Sequence, residues 1–222
     1  REAFFQPKRL AGKRVVITAG PTEEPLDPVR VLTNHSSGKM GYAVARAARE
    51  AGAEVTLVSG PVGLPTPQGV ARVNVRTAQE MFEQVKKAVK GADVFVSVAA
   101  VADYRPKTPA AQKIKKANGK DLSLELEENP DILAWVASQA NPPFCVGFAA
   151  ETENLAQHAA EKRKRKKLPL LAANLAQEAL GRDENSITLF DDRGQHPLGK
   201  APKIELARRL LDHVAGLLPK GR

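Results

Sequence analysis

Short apolar runs rich in β-branched residues alternate along the chain with stretches in which apolar residues recur at helical spacing. Residues 14–19 read Arg-Val-Val-Ile-Thr-Ala, a pattern typical of a buried parallel strand. Met40, Val44 and Ala47 then predict an amphipathic helix over residues 40–51. The same two patterns predict strands at 54–59, 71–75, 93–99, 145–149 and 169–173, and helices at 77–89, 154–167 and 202–218. This order predicts an α/β fold with a Rossmann-like, doubly wound, mainly parallel sheet.

Two segments depart from this alternation. Residues 104–128 contain Pro106, Pro109 and the alternating sequence Leu-Ser-Leu-Glu-Leu at 122–126, which predicts a flap that carries a β-strand. The sequences at 186–190 and 195–198 predict a hairpin that turns at residues 192–194. We therefore expect a β-rich flap and appendage beside the doubly wound sheet.

Capping residues mark two helix starts. Thr77 and Glu80 have the spacing of a capping box, which predicts a helix beginning directly after Thr77. Asn129 followed by Pro130 predicts a further helix in which asparagine is the cap and proline lies in the first turn.

A long loop joins the first predicted strand to the first predicted helix. Its last part, Asn34-His-Ser-Ser-Gly-Lys-Met-Gly41, is rich in glycine and serine and runs directly into the helix. Such a turn directs free backbone N–H groups and the positive end of the helix dipole at one point. The loop therefore predicts a phosphate-binding site.

Two well-known phosphate-binding motifs do not match this loop. In a P-loop the Gly-Lys pair is followed by a serine or threonine that binds Mg²⁺, but Gly38-Lys39 is followed by Met40. Gly20, Gly38 and Gly41 also lack the G-x-G-x-x-G spacing of dinucleotide-binding domains. An NAD(P)-dependent reductase or epimerase remains an alternative, although the glycine motif that would be its main support is missing.

Composition limits the remaining classes. The 222 residues suffice for one α/β domain, and the longest apolar run, about 95–102, is too short for a membrane span. Cys145 is the single cysteine, so no disulfide can form within the chain and a reducing cytoplasm is expected. Cys145 has no visible base partner and is predicted to be a core residue. The four histidines show no metal-ligand spacing, so no zinc site is predicted.

The net charge of +9 permits binding to nucleic acid or to a smaller polyanion. Lys-Arg-Lys-Arg-Lys-Lys at 162–167 is the densest basic segment, and Leu155, Ala159, Lys162 and Lys166 lie on one face of its predicted helix. The two lysines would lie one turn apart, where a polyphosphate can bridge them. Aromatic residues make up only 5% of the chain, which offers few stacking surfaces for single-stranded nucleic acid. A nucleoside triphosphate is therefore favoured over the alternative, a basic RNA-binding module.

At these residues the chain resembles a known family. The resemblance is carried by residues 17–30, by Asn34-His-Ser-Ser-Gly-Lys-Met-Gly41, by Ala99-Ala-Val-Ala-Asp-Tyr104, by Lys113-Ile-Lys-Lys116, by Asn129-Pro-Asp-Ile132 and by Val146-Gly-Phe-Ala-Ala-Glu-Thr152. These motifs are similar to those of bacterial phosphopantothenate-cysteine ligases, also called phosphopantothenoylcysteine synthetases. They occur in order from about residue 13 to 215.

The resemblance implies an activity in coenzyme A biosynthesis. A ligase of this family joins L-cysteine to 4'-phosphopantothenate with CTP through an acyl-cytidylate, and it releases CMP and pyrophosphate. CTP would be the co-substrate and Mg²⁺ the metal ion, with no ligands assigned to it. Neither nucleic acid nor a membrane is expected as a partner.

The resemblance also implies site residues. The nucleotide would contact Ser97, Val98, Ala99, Asp103, Lys113, Pro130, Asp131, Ile132, Leu133, Phe148, Lys162 and Lys166. Asp103 would bind the base or ribose, Phe148 would cover the base, and the lysines at 162 and 166 would bind the triphosphate. The acid substrate would contact Asn34, Ser36, Ser37, Gly38 and Met40. Asn34 and Lys113 are the predicted catalytic residues.

Domain organisation follows from the same resemblance. Family members form the C-terminal half of a bifunctional protein whose N-terminal half is a flavin-dependent decarboxylase. Residues 1–12 are accordingly expected to be the tail of a linker, and residues 13–218 the ligase domain. No flavin site is expected within the 222 residues. A homodimer is expected, with the flap and the β-rich appendage contributing to its interface.

Overall fold

A computed structural model describes residues 7–116, 121–151, 154–175 and 181–219. Its centre is an eight-stranded sheet with the order β12-β11-β10-β9-β6-β1-β4-β5. The strands of this sheet are β1 (Arg14–Ala19), β4 (Glu54–Ser59), β5 (Ala71–Asn74), β6 (Val94–Ser97), β9 (Phe144–Glu151), β10 (Leu170–Leu175), β11 (Glu184–Asp191) and β12 (Gly194–Pro202). The six strands from β10 to β5 pair in parallel, as in the predicted α/β fold.

Helices cover both faces of the sheet, which confirms the doubly wound arrangement. The helices are α1 (Lys39–Glu50), α2 (Ala78–Ala88), α3 (Ile132–Ala137), α4 (Leu155–Arg165) and α5 (Lys203–Leu217). Side chains of β1 alternate between the faces: Val15 and Ile17 pack in the cluster beneath α1 and α5, and Val16 packs in the cluster beneath α2 and α3. The first cluster also contains Leu10, which is fully buried and precedes the expected domain boundary at residue 13.

The predicted C-terminal hairpin is part of the main sheet and not a separate appendage. Strand β11 pairs antiparallel with β10, and β12 pairs antiparallel with β11, so the hairpin widens the sheet at one edge. Ile187 and Leu189 are buried and join the same cluster as α5, which explains why the hairpin docks on the sheet.

A small arm stands beside the sheet. It consists of the paired strands β2 (Glu24–Pro25) and β3 (Val31–Leu32) and the paired strands β7 (Tyr104–Pro106) and β8 (Leu126–Glu128). The flap therefore carries a strand, but the predicted position at 122–126 is wrong. In the structure β8 begins at Leu126, which faces Pro106, and one further hydrogen bond joins the Lys107 N–H to the Glu125 carbonyl at 3.0 Å.

Helix starts follow the capping predictions in part. The Thr77 hydroxyl accepts a hydrogen bond from the Glu80 N–H at 3.1 Å, as a capping box requires. The predicted cap at Asn129 is wrong, because Asp131 caps α3 and accepts from the Ala134 N–H at 3.0 Å. The Asn129 side chain instead donates to the Ala102 carbonyl and accepts from Arg105, so it holds the arm.

A close contact between α1 and β1 fixes the position of the first turn of the helix. A Cβ atom added to Gly41 would lie 2.5 Å from the Ala19 Cβ. The first turn of α1 therefore lies directly on the end of β1 and points at the carboxyl edge of the sheet. Among the described helices, none combines the length and the apolar character that crossing a membrane requires.

Candidate active site

A large pocket lies at the carboxyl edge of the parallel strands. It has a volume of about 940 Å³ and is lined from the ends of several strands, including Gly20 after β1, Ser97 at the end of β6, Ala150 in β9 and Asn174 in β10. Chain connections leave β1 and β6 in opposite directions, and open α/β sheets bind ligands at such a switch point. The volume is near the upper end of the usual range for small-molecule sites and can hold two substrates.

The loops after β1 and β6 are joined by hydrogen bonds at the base of this pocket. The Thr18 hydroxyl accepts from the Ala99 N–H at 3.2 Å, and the Thr22 hydroxyl accepts from the Ala102 N–H at 3.0 Å. The Ala100 N–H donates to the Gly20 carbonyl at 3.0 Å. Because both threonines are buried, these bonds are shielded from water and hold the two loops in register.

The N-terminus of α1 forms one wall of the pocket. Ser36, Ser37, Gly38 and Met40, the residues predicted to bind a phosphate group, all line it. Gly38 caps the helix with φ of 74°, where an added Cβ would meet Val62 at 2.9 Å, so only glycine fits. The first-turn N–H groups have no partner within the helix and remain available to an anion.

Asn34 lies behind this wall and does not line the pocket in the described structure. Its amide nitrogen donates to the Ala100 carbonyl at 2.6 Å, and its amide oxygen accepts from the Ser36 N–H at 3.0 Å. The side chain thus connects the loop after β6 to the loop that begins α1. A direct contact of Asn34 with substrate stays a prediction.

The residues predicted to contact the nucleotide lie together along the opposite wall. All of them except Lys113 line the pocket: Ser97, Val98, Ala99, Asp103, Pro130, Asp131, Ile132, Leu133, Phe148, Lys162 and Lys166. Ile132 and Leu133 are almost fully buried and support the wall, while Phe148 is half-buried at its surface. The geometry therefore provides an apolar surface beside polar backbone, which suits a nucleobase.

Lys166 forms an ion pair with the cap of α3. Its Nζ atom lies 2.9 Å from Oδ1 and 2.7 Å from Oδ2 of Asp131. Burial opposes ionisation of Asp131, but the Lys166 ammonium, the Ala134 N–H and the charge of Lys162 outweigh it and lower the pKa of this carboxyl group. Asp131 is therefore ionised near neutral pH, and Lys166 offsets its charge beside the pocket.

The sequence analysis missed several pocket residues: Lys39, Asn174, Asn185, Arg165 and Lys203. Lys39 forms an ion pair with Asp183 at 2.7 Å, and the Lys203 ammonium donates to the Arg182 carbonyl. Burial and the nearby charge of Lys39 lower the pKa of Lys203. No sequence pattern identifies Lys203 as a pocket residue. The start of α5 reaches the pocket only because β11 and β12 pair and carry the chain back to it.

Lys113 lies apart from the pocket lining. It is exposed, and its neighbours are tied to the arm: the Ala110 N–H donates to the Leu26 carbonyl at 2.9 Å, and the Ile114 N–H donates to Asp27 at 3.0 Å. The Arg30 guanidinium beside Asp27 holds the pKa of this carboxyl group well below its usual range. A role for Lys113 at the substrates stays a prediction.

Cys145 lies in the core and not at the pocket. Its side chain is almost fully buried, and burial raises the pKa of its thiol to about 12. A thiol in this state is a poor nucleophile.

A family model matches almost the whole chain. Residues 10–218 match the model described as DNA/pantothenate metabolism flavoprotein C-terminal domain. The chain belongs to this family. Family membership places the pocket, the arm and both core clusters within a single known domain type.

Named relatives give the comparison more detail. The chain is 52% identical over 215 residues to the coenzyme A biosynthesis bifunctional protein CoaBC of Vibrio cholerae, which covers 95% of this chain and 54% of that protein. It is 49% identical over 219 residues to CoaBC of Escherichia coli strain K12, covering 96% of this chain and 54% of that protein. The chain spans about half the length of these relatives.

A solved structure is similar as well. The crystal structure of the C-terminal domain of a coenzyme A biosynthesis bifunctional protein CoaBC superposes with a TM-score of 0.82 at 40% identity. The match covers 95% of this chain and 98% of that domain. The expected resemblance to the C-terminal domain of a bifunctional protein is thus confirmed.

Proposed function

We propose that this chain is a phosphopantothenate-cysteine ligase that joins L-cysteine to 4'-phosphopantothenate at the expense of CTP. The observation that carries the proposal is a single pocket with the N-terminus of α1 on one wall, eleven of the predicted nucleotide contacts on the opposite wall, and several basic side chains in its lining. Nothing among the described residues favours the reductase or the RNA-binding module.

The reaction has two balanced steps. In the first, a carboxylate oxygen of 4'-phosphopantothenate attacks the α-phosphorus of CTP, the bond to the β-phosphate breaks, and pyrophosphate leaves with the electron pair. In the second, the cysteine amine attacks the acyl carbon, CMP leaves with the electron pair of the acyl C–O bond, and the nitrogen loses a proton. Both steps bring anions together, so the site must stabilise negative charge.

The pocket supplies this stabilisation. Five basic side chains line it, against the three carboxylates of Asp103, Glu128 and Asp131. The basic residues are Lys39, Lys162, Arg165, Lys166 and Lys203. In the proposed arrangement Lys162 and Lys166 bind the triphosphate, and the first turn of α1 binds the phosphate of 4'-phosphopantothenate. The reacting groups then lie between the two walls, where binding fixes their orientation.

Mg²⁺ fits the oxygen donors at this pocket. Asp131 is engaged by Lys166, whereas Asp103 and Glu128 have no ion pair within the described ranges. One or two carboxylates together with substrate phosphates are a usual ligand set for Mg²⁺. We propose that Asp103 or Glu128 contributes to holding Mg²⁺, which would neutralise charge on the triphosphate when bound.

The proposed activity predicts nucleotide selectivity. The purified 222-residue chain with Mg²⁺ is expected to form 4'-phosphopantothenoylcysteine, with CTP used much better than ATP. A coupled pyrophosphate-release assay with each nucleotide and the acid substrate measures the first step, and mass spectrometry of the amide measures the second. Equal turnover with ATP would contradict the choice of CTP, and absence of the amide product would contradict the ligase itself.

Lys166 provides a test of the triphosphate position. Lys166→Gln is expected to weaken CTP binding about tenfold, because a charge-assisted hydrogen bond contributes about 1.5–3 kcal/mol and the charge of Asp131 would be left beside the phosphates. Lys164→Gln, at an exposed lysine two positions earlier in α4, is the matched control and should bind CTP normally. Isothermal titration calorimetry compares the two. Equal affinities would place the triphosphate elsewhere.

The arm supports a proposed homodimer. Large apolar side chains with high exposure concentrate on it, among them Val29 at 65% and Tyr104 at 48%. Leu122, Leu124 and Leu126 follow on the same flap. Burying such a patch against a second copy would remove it from water. Analytical ultracentrifugation distinguishes a dimer from the 23.9 kDa monomer, and a monomer at all concentrations would reject the proposal.

We also propose that the chain is joined to an N-terminal flavin-dependent decarboxylase in a bifunctional cytoplasmic protein. The support is that the CoaBC relatives are named bifunctional and that the chain matches 54% of their length. Flavin absorbance in the full-length protein, and its loss from the isolated chain, would test this arrangement.

A further inference from the structure

A cluster of one carboxylate and two imidazoles lies at the end of the sheet opposite the pocket. Strand β11 begins near Asn185, which lines the pocket, and ends at Asp191. Six residues of extended strand separate these two side chains by roughly 20 Å. The cluster at Asp191 therefore plays no part in the proposed ligase site.

The three side chains come from three different elements. Asp191 ends β11, His196 lies in β12, and His213 lies in α5. The Nε2 atom of His196 is 2.9 Å from Oδ1 of Asp191, and the Nε2 atom of His213 is 2.9 Å from Oδ2. The two imidazole rings are 4.7 Å apart. One ligand atom from each residue can be chosen so that all three lie within 4.8 Å of one another.

Burial and hydrogen bonding orient this cluster. The Asp191 side chain is 2% exposed, while those of His196 and His213 are 33% and 21% exposed. The Arg193 N–H donates to Oδ1 of Asp191 at 2.8 Å, which holds the carboxylate in place as outer hydrogen bonds do in metal sites. The buried Asp191 carboxylate is thus held by a backbone hydrogen bond, while the two imidazole rings are partly exposed to solvent.

Two imidazole nitrogens and one carboxylate oxygen are a ligand set for a divalent transition metal ion. Zn²⁺ binds such atoms at about 2.0–2.2 Å, which places the ligands of a tetrahedron about 3.3–3.6 Å apart. The two O···N separations of 2.9 Å involve different oxygens of Asp191, and the three ligand atoms lie within 4.8 Å of one another, so small side-chain rotations are needed to reach these distances. Each imidazole would carry its proton on Nδ1, so that the Nε2 lone pair is free to coordinate.

We propose that Asp191, His196 and His213 form a Zn²⁺ site in which water supplies the fourth ligand. A bound ion would join the hairpin β11–β12 to α5, roughly 20 Å from the pocket described above. The proposal differs from the expectation that the histidines form no zinc site. That expectation rested on spacing along the chain, whereas the fold brings His196, His213 and Asp191 together.

The proposal is tested on the whole chain after removal of metal ions with a chelator. Adding Zn²⁺ at one hundred times its Kd is expected to raise Tm by about 5–10 °C, since ligand binding at this ratio stabilises the folded state and a domain of this size shifts by a few degrees per kcal/mol. Co²⁺ should give the intense visible absorption of a four-coordinate site and lose it when Zn²⁺ is added.

Variants separate this site from adventitious binding. His196→Gln and His213→Gln should abolish both the rise in Tm and the Co²⁺ absorption, whereas His35→Gln, at an exposed histidine outside the cluster, should keep both. His196 is the most exposed of the three ligands, so its variant is the one expected to stay folded. A wild-type chain that responds no more to Zn²⁺ than to Mg²⁺, or a response that survives in His196→Gln, would overturn the proposal.

Discussion

Asn34→Asp is expected to lower product formation by about 10² or more while the chain stays folded and still binds CTP. A neutral amide can donate to the substrate carboxylate and to the oxyanion that forms when cysteine attacks, whereas a carboxylate would repel both. The amide-forming step should be affected at least as strongly as cytidylyl transfer. Quenched-flow analysis of the acyl-cytidylate measures the two steps separately.

The structure gives this expectation a second physical basis. Asn34 donates to the Ala100 carbonyl at 2.6 Å, so aspartate would place an anionic oxygen against a carbonyl oxygen. The same aspartate could still accept from the Ser36 N–H, which would preserve the turn before α1. The variant would therefore lose the hydrogen bond that links the two loops lining the pocket, whereas the turn at the N-terminus of α1 would be kept.

Thr33→Val is the matched control for this effect. Thr33 lies next to Asn34 and its hydroxyl donates to the Thr22 carbonyl at 2.8 Å, so the variant removes one loop hydrogen bond without changing charge. Its kcat should stay near that of the wild type. If Asn34→Asp converts the acyl-cytidylate to product at the wild-type rate, the assignment of Asn34 to the amide-forming step is wrong. If only KM rises, Asn34 positions the acid substrate and takes no part in the transition state.

Local patterns were sufficient to predict the parallel core of the fold. Strand β4 has the predicted bounds, and α1 begins within one residue of its predicted start, because apolar period and side-chain type decide these buried elements locally. The hairpin was predicted as a pair of strands, but its place in the main sheet depends on the long-range pairing of Leu171 with Phe190. No pattern within either segment encodes that pairing.

The candidate site also combines residues that the sequence predicted with residues that depend on long-range packing. Family motifs predicted Ser37 and Phe148, and the structure brings both to one pocket, Ser37 from the loop before α1 and Phe148 from β9. Lys203 was missed, since it reaches the pocket only through the packing of α5 after the hairpin. The residues of the proposed zinc site could not be predicted for the same reason: His196 and His213 are 17 positions apart in the sequence and meet because β12 and α5 pack side by side.

Lys113→Gln is expected to slow turnover by about 10² or more, with a much smaller change in the CTP affinity of the free chain. The side chain is exposed and does not line the pocket, and the backbone beside it is tied to Asp27 in the arm. Its ammonium group can therefore act only if the flap moves onto bound substrates, as loops do when they complete an active site. Lys113 would then stabilise the transition state only when the flap is closed over the substrates.

A matched variant distinguishes this role from loss of general positive charge. Lys115→Gln removes the same charge from an exposed lysine two positions away and should turn over at close to the wild-type rate. Single-turnover kinetics at saturating CTP report the chemical steps, and calorimetry reports CTP affinity. Because the Lys113 side chain is exposed, its variant should unfold at the wild-type temperature, so a slow rate could not be attributed to unfolding. Near-normal turnover of Lys113→Gln, or equal slowing in Lys115→Gln, would leave Lys113 as surface charge and remove the closing flap from the mechanism.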